Sequence, residues 1–171
     1  MLTEVRPAKR RRESRALVSV VILLVLLAVP SAICGLEMIN DPIGALGMTT
    51  DWLVRTPIDT FLWPGIFLLG LAAAALLSAA GFVMGFRWRW ISRAENFFGY
   101  RWPWVGAVST GVVLMAWIIV EVILLPTVHP VLHPGLFVWG LVIAGLPFTA
   151  SMKTQFRAHA PGRTTKELTN V

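Results

Sequence analysis

Four long runs of apolar residues constrain this chain more than any other feature. They cover about residues 16–36, 61–86, 103–125 and 134–152. A helix needs roughly 20 apolar residues to cross about 30 Å of hydrocarbon, and each run is close to that length. The sequence therefore predicts an all-α fold, namely a polytopic membrane protein with a bundle of four transmembrane helices.

Little of the chain is left for a separate soluble domain. Outside the runs are a basic tail at residues 1–15, three connections and a second tail at residues 153–171. Hydrophobic residues make up 56% of the 171 residues and charged residues 14%, against about 25% charged in a soluble domain. A soluble protein of this size cannot hide so much apolar surface in one core. The composition excludes a soluble enzyme and a disordered chain.

The first apolar run follows a basic segment, as the apolar part of a signal peptide does. Ile33 precedes Cys34 where a lipoprotein cleavage site would need a small residue. We therefore expect an uncleaved helix, with a cleaved signal peptide as the alternative.

The basic residues are distributed unevenly between the connections. Before the first run, between the second and third, and after the fourth lie 14 of the 15 Lys and Arg residues, and only Arg55 lies elsewhere. Basic connections stay in the cytoplasm, so we predict that both termini are cytoplasmic and that the protein lies in a bacterial plasma membrane. The net charge of +6 then indicates orientation and the lipid bilayer as partner, with no nucleic acid.

Tryptophans cluster near the predicted ends of the spans. Indole rings favour the headgroup level of a bilayer. The predicted interfacial anchors are Trp63, Trp88, Trp90, Trp102 and Trp104. The alternative interpretation of the segment RWRW, an RNA-binding pattern, fits its position poorly.

The second span is rich in small residues. Gly70, Ala74 and Ser78 recur every four positions, and Gly81 and Gly85 continue the pattern. Such residues let helices approach closely, either inside this bundle or with a membrane-protein partner or a second copy. In the fourth span, Pro147 is expected to bend the helix.

Glu121 is the one ionisable residue well inside a predicted span. A charge in hydrocarbon is costly, so such residues usually face the bundle or water. Trp117 lies one turn earlier on the same helix face. Three states of the carboxyl group stay open: protonated, paired with Arg55, or hydrated from the outer loop. Two interpretations of its role also stay open: a proton, cation or ligand site, and a buried protonated carboxyl bonded to a neighbouring helix.

His129 and His133 lie in the short connection HPVLHP. A spacing of four suits metal ligands on one helix face, but the prolines disfavour a regular helix there. No HExxH motif, nucleophile triad or phosphate loop accompanies them. We predict no cofactor and regard a metal at these histidines as a minor alternative.

The first connection contains Asp41-Pro42-Ile43-Gly44, Leu46-Gly47-Met48 and Thr56-Pro57-Ile58-Asp59, and then Pro64-Gly65 opens the second span. These segments resemble the pattern DPxGxxLGM and TPxxxxLxPG, which is typical of a group of small bacterial four-helix membrane proteins. Trp117 matches that group's Trp in the third span, and Glu121 stands where the group has Gln. The resemblance implies a hydrogen-bonding role for Glu121 and no assigned activity.

The same connection has a physical interpretation. Asp41, Pro42 and Gly44 form turns, and Thr56 with Pro57 can begin a short helix or turn. We expect a structured outer loop folded down on the bundle, with Asp41 and Asp59 capping helix N-termini or contributing to a ligand site.

Three functional hypotheses follow. The first is a non-enzymatic accessory subunit or binder of a small ligand or lipid. The second is an oligomeric transporter or channel that uses Glu121. The third is an outer-face metal-dependent enzyme.

Overall fold

The part of the chain that the structure describes folds into four main helices, as predicted. The computed structural model describes residues 6–85, 99–125 and 130–156. The helices are α1 (Arg6–Asn40), α2 (Leu62–Met84), α3 (Trp102–Leu124) and α4 (Leu132–Gly145), followed by a short α5 (Ala150–Phe156). The all-helical fold class is confirmed.

Three of these helices are long and apolar enough to cross a membrane. They are Arg15–Asn40 within α1, Leu62–Met84 and Trp102–Leu124, of 26, 23 and 23 residues. At 1.5 Å per residue the shorter two reach about 34 Å, more than the hydrocarbon thickness of about 30 Å. The helix α4 is shorter, although its apolar segment continues to Phe148.

Two helix ends differ from the ends of the predicted spans. The first helix begins at Arg6, so much of the predicted N-terminal tail is a helical extension of the first span. The fourth helix ends at Gly145 and not near residue 152, and a single 3-10 turn, Leu146–Phe148, follows it. Pro147 lies in that turn, where its missing N–H and its ring disfavour further α-helix.

The helix surfaces are apolar outside as well as inside. Ile22, Val29 and Ile33 of α1 are each more than half exposed, and similar residues cover the outward faces of α2 and α3. A soluble monomer rarely exposes an apolar surface this extensive. Acyl chains would cover these side chains without cost, which fits membrane-spanning helices.

The helices pack in chain order, with α1 on α2, α2 on α3 and α3 on α4. The first and last pairs contact each other at glycines. A Cβ added to Gly35 would lie 2.9 Å from the carbonyl oxygen of Gly65, and one added to Gly140 would lie 2.9 Å from that of Gly111. Backbone therefore meets backbone at both crossings, which is how small residues favour helix association in lipid.

The small residues of α2 do not share one face. Ser78 is buried and its hydroxyl group lies against Gly106, while Gly81 lies against the Trp102 ring. Gly70 and Ala74 are exposed. The predicted stripe thus divides between contacts with α3 and an outward face, because positions four apart rotate by about 40° per step.

Candidate functional site

The loop between α1 and α2 (residues 41–61, here the α1–α2 loop) is folded on the end of the bundle. Leu53 and Phe61 are buried and pack with Met38 of α1 and with Ile58. The N–H of Phe61 donates to the carbonyl oxygen of Pro42 over 2.9 Å, which joins the two ends of the loop. The predicted structured loop is confirmed.

Local hydrogen bonds shape this loop. Asp41 Oδ1 accepts the N–H of Ile43 over 3.4 Å, as in an Asx turn, and also the N–H of Gly44 over 3.0 Å. The Thr56 hydroxyl group donates to the carbonyl oxygen of Leu53 over 2.8 Å. Thr56 therefore closes a turn and does not begin a helix.

The second span begins at Leu62 with Phe61 as its N-cap residue and no side-chain cap. Asp59 is exposed before it, so the expected helix cap from Asp59 is absent. Asp41 stabilises a turn after α1 instead of capping a long helix.

Glu121 lies in the last turn of α3 and is held by its own helix. The indole N–H of Trp117 donates to Glu121 Oε1 over 2.7 Å. The Trp117 ring in turn stacks on Phe67 of α2, with ring centroids 4.1 Å apart. One oxygen of the carboxylate therefore has a fixed direction.

The second carboxylate oxygen faces α4. His133 Nε2 lies 3.7 Å from Glu121 Oε2, and the two side chains are 12% and 27% exposed. This distance allows an ion pair when the imidazole is protonated, and it exceeds the usual hydrogen-bond range. Arg55, one of the partners considered for Glu121, is exposed in the α1–α2 loop and makes no ion pair with Glu121.

Two cavities meet at this carboxylate. The smaller, of about 320 Å³, lies under the α1–α2 loop between Phe61, Pro64 and Val120. The larger, of about 640 Å³, lies between α1, α3 and α4 and reaches Leu27 and Leu114. The residues that line both cavities are Met38, Met48, Trp117, Glu121 and Leu125.

The cavity walls are almost entirely apolar. Glu121 is the one acidic group on either wall among the described residues, and His133 is the accompanying basic group. Asp41 and Asp59 line neither cavity. The arrangement suits a lipophilic molecule that carries one polar or charged group.

Only one of the two histidines of the metal hypothesis lies in the part of the chain that the structure describes. His133 lies beside Glu121, while His129 lies outside the described residues. Within residues 6–85, 99–125 and 130–156, no group of three or more His, Cys, Asp or Glu side chains is placed to hold a metal ion.

The tryptophans predicted as interfacial anchors differ in their surroundings. Trp63 is 63% exposed at the start of α2, Trp102 is half-buried, and Trp88 and Trp90 lie outside the described residues. Trp104 needs correction, because it is only 5% exposed. Its indole N–H donates to the carbonyl oxygen of Pro147 over 2.8 Å, which makes it a core residue that stabilises the turn after α4.

Sequence reasoning missed the approach of His133 to Glu121 and the stacking of Phe67 on Trp117. A signal for the first was present. Glu121 lies near the end of α3 and His133 near the start of α4, and consecutive helices joined by a short connection pack side by side. No sequence pattern indicated the stacking of Phe67 on Trp117.

Comparisons with known proteins add no relative. No protein-family model, curated protein or solved structure matches this chain.

Proposed function

We propose that this chain is a non-enzymatic multi-pass membrane protein that binds a small lipophilic ligand. The observation that carries the proposal is the meeting of two apolar cavities at Glu121, beneath a folded loop. Their volumes, about 320 and 640 Å³, fall in the range of about 300–1,000 Å³ that is typical of ligand pockets.

We also propose where the protein lies and how it is oriented. The four-helix chain lies in a bacterial plasma membrane with both termini in the cytoplasm, and the ligand site is near the opposite surface. Support comes from the distribution of Lys and Arg along the sequence and from the position of the α1–α2 loop, Glu121 and His133 at one end of the bundle. The resemblance to small bacterial membrane proteins agrees with this location.

Copurification tests the proposed function. Protein extracted gently from native membranes should carry a stoichiometric lipophilic compound, detected by mass spectrometry of its solvent extract. Met48→Trp places a larger side chain on both cavity walls and should remove most of that compound. Val83→Trp is the matched control, because Val83 is 68% exposed on α2 and lines neither cavity. Wild-type protein without any enriched compound would contradict the proposal.

A transporter is the second candidate, favoured by the position of Glu121 between two cavities. In this case the ligand would pass from one cavity to the other beside the carboxylate. Substrate flux into proteoliposomes should then fall in Glu121→Gln, and unchanged flux would remove Glu121 from that mechanism.

A further inference from the structure

The two oxygens of Glu121 differ in their partners. Oε1 accepts the indole N–H of Trp117. Among the described residues, Oε2 accepts no hydrogen bond, and its nearest basic group is His133 Nε2 at 3.7 Å. An ionised carboxylate can accept about four hydrogen bonds. Glu121 can therefore accept further hydrogen bonds on the side that borders the cavities.

We propose that the ligand is an amphiphile with a protonated amine, whose ammonium group binds Glu121 and whose hydrocarbon chain lies in the larger cavity. This inference rests on the proposed function and specifies its ligand class. A charge in apolar surroundings is stabilised by an opposite charge that also donates hydrogen bonds. An ammonium group supplies both to Oε2.

The shape of the larger cavity fits a chain. Its wall follows α1 from Met38 to Leu27, a distance of about 16 Å along the helix axis. On α3 it extends from Glu121 to Leu114, two turns away. Leu27 and Leu114 are both buried, so the far end of the cavity is apolar and the head end carries the carboxylate.

Other classes of ligand fit less well. A divalent cation such as Ca²⁺ takes six or more oxygen ligands, and the described walls offer one carboxylate. An anionic lipid headgroup would meet the like charge of Glu121. A neutral lipophile would contact the apolar walls but would supply no opposite charge to the carboxylate.

Matched probes test the head group. Protein in nanodiscs of neutral phosphatidylcholine is titrated with dodecylamine and with dodecanol, and the bound molecules are counted by native mass spectrometry. We expect the wild-type protein to bind dodecylamine about tenfold more tightly, the effect of about 1.4 kcal/mol from one charge-assisted contact. Glu121→Gln keeps the shape and an acceptor for Trp117, and it should bring the two affinities together.

The control removes a nearby charge that is outside the cavities. Glu37 is exposed in the last turns of α1, at the same end of the bundle as Glu121. Glu37→Gln should keep the preference for the amine. Loss of that preference in Glu37→Gln would mean that surface charge alone attracts dodecylamine, and this result would overturn the inference.

A third probe identifies the source of the amine. Binding of lysophosphatidylethanolamine with the same dependence on Glu121 would support the inference and identify an aminophospholipid. Binding of dodecylamine alone would support it and identify a free amine.

Failure of the inference and failure of the proposed function give different results. Equal affinity of wild-type protein for the amine and the alcohol overturns the inference alone. No binding of either probe, together with no copurified compound, overturns the proposed function as well.

Discussion

The indole N–H of Trp117 donates a 2.7 Å hydrogen bond to Oε1 of Glu121, one turn later on the same helix. Because the Trp117 ring also stacks on Phe67, the carboxylate of α3 is connected to α2 through an aromatic pair. This connection fixes one oxygen and directs the other towards α4 and the cavities.

Removing only the indole N–H tests that connection. Trp117→Phe keeps an aromatic ring against Phe67 and should lower stability by about 0.5–2 kcal/mol, the usual contribution of one side-chain hydrogen bond in a membrane protein. Thermal unfolding in one detergent measures the loss. In a Glu121→Leu background the same substitution should lower stability by much less, because the acceptor is already absent. Equal losses in both backgrounds would show that the hydrogen bond does not contribute to stability.

The crossing of α1 and α2 should tolerate no side chain at Gly35. Gly35→Ala places a Cβ 2.9 Å from the Gly65 carbonyl oxygen, so the helices must separate, at a cost of about 1–3 kcal/mol. Gly70→Ala on the exposed face of α2 meets nothing within 4 Å and serves as control. We expect a lower melting temperature in Gly35→Ala only. Because Ala has a higher helix propensity than Gly, a similar fall in both variants would mean that the close approach at Gly35 is not its cause.

Trp104 should matter more for stability than Trp63. Trp104→Phe retains the ring contacts with Tyr100 and Phe148 but removes the donor to Pro147, and it should cost about 0.5–2 kcal/mol. Trp63→Phe changes an exposed ring and should be nearly neutral. The comparison uses thermal unfolding in the same detergent, and the reverse order of melting temperatures would contradict the core role of Trp104.

Site-directed labelling tests the predicted orientation. Cys34 is the single cysteine, so a Cys34→Ala background accepts new cysteines. Val54→Cys in the α1–α2 loop should react with a membrane-impermeant maleimide on intact spheroplasts, while Lys153→Cys in α5 should react only after permeabilisation. Both positions are exposed and lie at opposite ends of the bundle. The opposite labelling pattern would show that the predicted orientation is wrong and that the ligand site lies on the cytoplasmic side.

Much of the architecture could be predicted because helix length and apolar content follow directly from the order of residues. The break at Pro147 and the folding of the loop around Asp41 and Thr56 also follow from local chemistry. Trp117 and Glu121 were predicted to share a face, since residues four apart in a helix are neighbours.

Contacts between helices were harder to predict. The spans of α2 and α3 are apolar on every side, so no polar face indicates which side packs inward. The sequence therefore did not separate exposed Gly70 from buried Ser78, and it assigned Trp104 to the membrane interface.

The sequence by itself determined that this is a helical membrane protein with one ionisable residue well inside a span. Only the tertiary structure decided what surrounds that residue. His133 and the two cavities meet at Glu121, and Phe67 stacks on the Trp117 ring that binds it. These contacts depend on the packing of the helices and the α1–α2 loop, and therefore on side-chain shape and on glycine contacts between helices. The periodic pattern of residues along one helix does not indicate which other segments pack against that helix.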